Sequence, residues 1–92
     1  MDWGMLQEEI DFVQALVADG HGHTRRMEGL WMERLHVPSD MGQFEAHMLR
    51  VTHRRRMYEA ISVLRDRNLV EVLRGPVEWI IQVPSTVRTG PS

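Results

Sequence analysis

The sequence of 92 residues contains no cysteine and no lysine. Without cysteine there are no disulfides, no thiol catalysis and no cysteine-based zinc site, so packing alone must hold the fold. No apolar run reaches the roughly eighteen residues of a membrane span, and no basic stretch followed by an apolar one opens the chain. The sequence therefore predicts an intracellular protein without a membrane partner.

The charge is unevenly distributed along a chain whose net charge is −2. Residues 1–49 hold three arginines and nine acidic residues, whereas residues 50–92 hold eight arginines and four acidic residues. A basic second half can give one face a positive potential even when the whole chain is slightly acidic. The overall charge thus does not exclude a nucleic-acid partner.

Apolar spacing predicts three helices. The first covers residues 3–18 and ends at Gly20, which supplies a left-handed C-cap. The second covers residues 25–36, with Thr24 as its N-cap. Residues 37–48 are expected to form a loop with a helical turn, and the third helix then runs from about residue 50 to Asn68, which tolerates a left-handed conformation.

The spacing of the apolar residues changes after the third helix. Residues 69–73 and 77–83 are rich in β-branched and apolar side chains, and residues 74–76 between them are typical of a hairpin turn. The sequence thus predicts an α+β winged helix-turn-helix over residues 1–84, followed by a disordered tail at 85–92. In such a fold the third helix enters the major groove and the hairpin reaches the adjoining backbone.

The third helix carries a basic cluster at its predicted start. If Met57, Ile61 and Leu64 face the core, then the outward face holds Arg55, Glu59 and Ser62. Tyr58 and Arg65 lie on one flank, and Arg56 lies on the other. Arginine can pair with guanine edges or neutralise phosphate, and a tyrosine hydroxyl can donate to phosphate.

Three arginines in a first helical turn would oppose the helix dipole and mildly destabilise the helix. Such an unfavourable arrangement suggests that the arginines serve to bind a ligand. The alternative is a solvated charge run compensated by acidic residues, among them Glu45 and Glu59.

Residues 52–80 resemble the DNA-binding domain of the E2-factor/DP transcription factors, and among these the dimerisation partner most closely. The family signature Arg-Arg-x-Tyr-Asp corresponds to residues 55–59, which read Arg-Arg-Met-Tyr-Glu, and the later strand ending in Trp corresponds to Trp79. Glu59 departs from the family's Asp, Ser62 departs from its Asn, and the family's coiled-coil segment is absent. Bacterial and phage winged-helix regulators share the same apolar spacing.

The resemblance implies that Arg55 and Arg56 read G/C base edges and that Tyr58 contacts the backbone. Arg54 would be a phosphate contact. The candidate DNA-binding set is completed by His53, Glu59, Ser62, Arg65 and Arg74.

The five histidines show no zinc-enzyme spacing, and no nucleophile elbow, paired-acid motif or phosphate-binding loop is present. We therefore expect neither an enzyme nor a metal or small-molecule cofactor. Trp31 and Trp79 are expected in the core. Trp3, Phe12 and Leu16 form a second apolar stripe on the first helix, and a homodimer through this stripe is a hypothesis that the sequence leaves open.

Two functions from different classes remain. The first is sequence-specific binding of double-stranded DNA by a transcriptional or replication regulator, located with the nucleoid or, in a eukaryote, in the nucleus. The second is a winged-helix protein-interaction module, such as a small phage-type inhibitor, that uses its acidic first half to bind a host protein without binding DNA.

Overall fold

The computed structural model describes residues 7–84 and consists of three helices followed by an antiparallel hairpin. The elements are α1 (Gln7–Ala18), α2 (Thr24–Met32), α3 (Gln43–Asp66), β1 (Glu71–Arg74) and β2 (Trp79–Gln82). This order confirms the predicted α+β class. The predicted start of the first helix at Trp3 and the predicted tail at 85–92 lie outside the described residues.

The boundary between the second and third helices differs from the prediction. α2 ends at Met32 instead of residue 36, and α3 begins at Gln43, inside the segment predicted to be a loop. Gly42 is extended at the N-cap, and neither proline nor glycine follows before Gly75. The first half of α3 buries only Ala46, so its apolar residues lack the core-facing spacing that would have indicated a helix.

One core joins all five elements. The apolar side chains that it buries completely or nearly so come from α1 (Ile10, Val13, Leu16, Val17), α2 (Met27, Trp31), α3 (Met57, Ala60, Ile61, Leu64) and the hairpin region (Val70, Ile81). Trp31 is fully buried, as predicted. The helical members recur at three- and four-residue intervals, so each helix contributes one continuous apolar face.

Two helices end as the sequence predicts. Gly20 has φ 86°, and the amide of His21 donates to the carbonyl of Leu16 at 2.8 Å. Asn68 has φ 61°, and the amide of Leu69 donates to the carbonyl of Leu64 at 2.9 Å. Both ends satisfy orphan carbonyls through a left-handed residue after the helix, which is the Schellman arrangement.

The hairpin is fixed to the loop between α1 and α2. β1 and β2 pair with Val72 opposite Ile81, and residues 75–78 connect them, so Arg74 belongs to the strand and not to the predicted turn. The amide of Ile81 donates to the carbonyl of Gly22 at 2.7 Å. A Cβ on Gly22 would lie 1.8 Å from the carbonyl oxygen of Ile81, so only glycine allows this approach.

Two side-chain predictions are corrected near α1 and α2. Thr24 is the first residue of α2 and not its cap, and its hydroxyl accepts from the amide of Trp79 at 3.0 Å. On α1, Leu16 is buried and Phe12 packs against Trp31 with ring centroids 6.0 Å apart. These two residues therefore do not form an exposed stripe. Trp3 lies outside the described residues, and the homodimer stays a prediction.

Candidate nucleic-acid interface

The three consecutive arginines lie in the middle of α3. Arg54 is preceded by eleven helical residues, because the helix begins at Gln43. The prediction that these arginines form the first turn is therefore wrong, and the expected conflict with the helix dipole disappears, since that effect is confined to the terminal turns. Successive side chains leave a helix about 100° apart, so the three arginines meet three different surroundings.

Arg56 points towards α1 and binds Glu9. Its Nε donates to Oε2 of Glu9 at 2.9 Å, and its Nη2 donates to the other carboxylate oxygen. The Arg56 side chain is 29% exposed and that of Glu9 only 11%. The hydrogen bond to Glu9 raises the pKa of Arg56 above its usual value. Arg56 thus ties α3 to α1 and does not fit the base-reading role that the resemblance implies.

Arg54 and Tyr58 converge on one carboxylate of α2. The Tyr58 hydroxyl donates to Oε2 of Glu28 at 2.5 Å, and the Nε of Arg54 lies 3.4 Å from Oε1 of the same residue. Arg54 and Tyr58 are four positions apart, which places them on the same flank of the helix. The two predicted backbone contacts are therefore neighbours, and both bind an internal anion.

Tyr58 is a half-buried residue between α2, α3 and the hairpin. Its ring lies edge-on to that of Trp79, with centroids 5.6 Å apart. Trp79 therefore packs on α3 as expected, but it is only partly buried at the margin of the core and not inside it. Burial of the phenol, aided by the hydrogen bond to Glu28, raises the pKa of Tyr58 to about 12. The hydroxyl therefore keeps its proton, and remains a donor, at all physiological pH values.

Arg55 lies on the outward face of α3, as predicted. Its side chain is exposed and forms no hydrogen bond or ion pair with any residue in the described part of the chain. Glu59 follows one turn later and is also exposed. Arg65, on the flank of Tyr58, lies 3.4 Å from the hydroxyl of Ser62 and 3.5 Å from the carboxylate of Asp66. The outward face thus presents one free arginine among polar and acidic neighbours.

His53 has a structural position. Its ring stacks on Trp31 with centroids 4.9 Å apart, and its Nε2 donates to the carbonyl of Trp31 at 2.9 Å. In return, the indole Nε1 of Trp31 donates to the carbonyl of His53 at 2.6 Å. These reciprocal bonds join α2 to α3 and give His53 a structural role, while its DNA contact stays a prediction.

The hairpin loop and the start of α2 enclose a groove of about 320 Å³, lined by Thr24, Tyr58 and residues 75–79. Glu78 holds the groove together, because its carboxylate accepts from the amide of Arg25 at 3.2 Å and lies 3.3 Å from Nδ1 of His23. At the end of β1, the guanidinium of Arg74 lies 4.9 Å from the ring centre of Trp79. Arg74 is exposed beside this groove.

No local pattern in the sequence indicated Glu9 and Glu28 as partners of the basic cluster. They lie 47 positions before Arg56 and 30 before Tyr58, and no local spacing relates residues so far apart. The segregation of acidic residues into the first half was the available signal. It predicted compensation in general, but the carboxylates in direct contact are not the Glu45 and Glu59 that were singled out.

None of the helices within residues 7–84 combines the length and the apolar character needed to cross a bilayer. In the same residues, no three histidine or acidic side chains are grouped as a metal site would require. The similarity to the E2-factor/DP family and to bacterial or phage regulators stays a prediction. No protein-family model, curated protein or solved structure matches this chain.

Proposed function

We propose that this chain binds double-stranded DNA as a winged helix-turn-helix domain, with the outward face of α3 in the major groove and the hairpin as the wing. In this role it acts as a sequence-specific regulator of transcription or replication. The observation that carries the proposal is Arg55, an exposed arginine on the outward face of α3 with no partner among the described residues.

Arg55 supports base recognition because its guanidinium can approach guanine without first breaking an ion pair to any residue of the described range 7–84. An arginine fork matches the O6 and N7 acceptors of guanine, and a carboxylate can accept from the amino group of cytosine. Glu59, one turn later on the same face, supplies such a carboxylate. Together the two side chains favour a site that contains G/C pairs.

Other exposed arginines on α3 and the hairpin supply donors for the DNA backbone. Arg54 lies on the adjoining flank of α3, and Arg74 lies at the end of β1 on the wing. Phosphate contacts of this kind position a domain on the duplex, whereas base contacts select the sequence. The proposal therefore keeps Arg54, Arg55 and Arg74 as contacts and assigns Arg56 and His53 to the fold.

The test is a selection from randomised duplexes, followed by anisotropy titrations of the enriched site. We expect Arg55→Ala to weaken binding by about 1–3 kcal/mol and to relax the base preference at one position. Arg67→Ala, at the end of α3 and also exposed, is the matched control and leaves the preference unchanged. Failure to enrich any motif, or equal effects of the two variants, would overturn direct readout by Arg55.

A protein-interaction module is the second candidate, and one observation favours it. The first half of α3 carries large exposed apolar side chains, of which Phe44 is 75% exposed and Met48 is 44% exposed. Exposed apolar residues on a helix that extends from the core are typical of a protein contact. Two of the three central arginines are also occupied by carboxylates, which reduces the charge available to DNA.

Gel shifts at two salt concentrations separate the candidates. Phosphate contacts release counterions, so DNA binding must weaken steeply as salt rises. A shift that is strong at low salt and is retained by Phe44→Ser supports the DNA proposal. If no duplex binds even at low salt, the DNA proposal fails and the protein-interaction candidate takes its place.

A further inference from the structure

Glu28 occupies a surface position where two donors of α3 meet. The hydroxyl of Tyr58 binds one of its carboxylate oxygens, and the Nε of Arg54 approaches the other. An oxygen-bearing anion held by a tyrosine hydroxyl and an arginine is also the arrangement of a protein contact to a DNA phosphate. The two donors that hold the carboxylate of Glu28 are therefore also suited to bind a phosphate.

The Arg54 side of the cluster is open to exchange. The Arg54 side chain is 48% exposed and that of Glu28 is 34% exposed. An ion pair between side chains this exposed contributes little to stability, because solvent screens it. The Arg54 contact of 3.4 Å is longer than a good charge-assisted hydrogen bond. Arg54 can therefore exchange one anion for another at small cost.

The cluster also lies beside the proposed interface. Arg54 directly precedes Arg55 in α3, and Tyr58 lines the groove between the start of α2 and the hairpin loop. A duplex with its major groove on Arg55 brings its backbone past this flank of the helix. The carboxylate of Glu28 then either repels the phosphate or is replaced by it as the acceptor of the Arg54 and Tyr58 hydrogen bonds.

We propose that Glu28 is an internal competitor for a DNA backbone phosphate, which displaces it from Arg54 and Tyr58 when the duplex binds. Glu28 thereby lowers the affinity of the domain for DNA and limits binding to sites where base contacts add enough free energy. This inference rests on the proposed function. It assigns to Glu28 a regulatory role that neither the fold nor base readout requires.

The test compares Glu28→Gln with the unaltered chain on the enriched duplex. Glutamine keeps an acceptor for Tyr58 and removes the charge, so we expect binding about fivefold to tenfold tighter. Glu33→Gln, just after the end of α2, is the matched control and changes affinity less than about twofold. A gain of the same size in Glu33→Gln would show a general charge effect and overturn the inference.

A double-mutant cycle with Arg54→Ala isolates the competition. If Glu28 acts by occupying Arg54, then the gain from Glu28→Gln falls to about twofold or less in the Arg54→Ala background. An equal gain in both backgrounds overturns the competition and leaves DNA binding intact. If neither the unaltered chain nor Glu28→Gln binds any duplex, the proposed function and this inference fail together.

The geometry has a readout that does not need DNA. The chain has a single tyrosine, so the absorbance of the phenolate reports Tyr58 alone. Burial raises the pKa of Tyr58 most, and the hydrogen bond and charge of Glu28 raise it further. We expect Glu28→Gln to lower that pKa and Glu33→Gln to leave it unchanged. An unchanged pKa in Glu28→Gln would show that the two residues do not interact, and the inference would fall.

Discussion

Arg56 of α3 binds Glu9 of α1 through two guanidinium nitrogens. The two residues are 47 positions apart in the sequence, and their pair joins the two helices. A nearly buried carboxylate paired with a half-buried guanidinium adds little net stability, but either charge left without the other is costly. Because of this pair, Arg56 has a structural role, and only Arg54 and Arg55 of the three consecutive arginines remain as candidate DNA contacts.

We expect Arg56→Met to destabilise the protein by about 2–3 kcal/mol, since it removes the cation that faces the Glu9 carboxylate. The double variant Glu9→Gln with Arg56→Met should recover most of this loss, because no charge then remains at the buried position. Urea unfolding measures both. Arg67→Met, at the exposed residue directly after α3, should stay within about 0.5 kcal/mol. A double variant no more stable than the single one would contradict this account.

Gly22 and Gly29 offer a matched pair of alanine substitutions. A Cβ at Gly22 meets the carbonyl oxygen of Ile81, whereas a Cβ at Gly29 meets nothing within 4 Å. We expect Gly22→Ala to cost about 2–3 kcal/mol because the hairpin must move away from the α1–α2 loop. Gly29→Ala, inside α2, should stabilise by about 0.5–1 kcal/mol. Thermal unfolding decides, and equal midpoints for the two variants would contradict the close approach.

Stability should fall in alkaline solution because of Tyr58. Its pKa is raised from 10.0 to about 12 in the folded protein, chiefly by burial and then by Glu28. Above pH 10 the unfolded chain loses the phenol proton while the folded chain keeps it, so the free energy of unfolding decreases as pH rises towards 12. Tyr58→Phe removes this dependence. Urea unfolding at several pH values measures the free energy of unfolding. If it falls equally steeply between pH 10 and 12 in Tyr58→Phe and in the unaltered chain, Tyr58 is not the cause.

Asn68 ends α3 in a left-handed conformation, with φ 61°. Alanine is strained there, whereas glycine is not. We expect Asn68→Ala to destabilise by about 1 kcal/mol and Asn68→Gly to be neutral or slightly stabilising. Urea unfolding of the two variants measures the difference, and a more stable alanine variant would contradict the assigned backbone conformation.

The sequence by itself determined the elements whose signals are local. Apolar spacing identified the core face of α3 and the buried Trp31 of α2, Gly20 and Asn68 marked two helix ends, and the change in apolar spacing after Asn68 indicated the hairpin. The outward position of Arg55 also followed from helical spacing alone. Each of these depends on residues within a few positions of one another, where propensity and periodicity act directly.

Only the tertiary structure decided which residues contact the basic cluster of α3. The early start of α3 was hidden because its first half lies outside the core and shows no core-facing period. Glu9 and Glu28 reach Arg56 and Tyr58 only after the helices pack, and His53 finds Trp31 in the same way. Contacts between distant residues depend on how helices cross and which rotamers fit, so no local pattern specifies them. Packing thereby left Arg55, alone of the three consecutive arginines, without a partner among residues 7–84, and it placed Arg54 beside the carboxylate of Glu28.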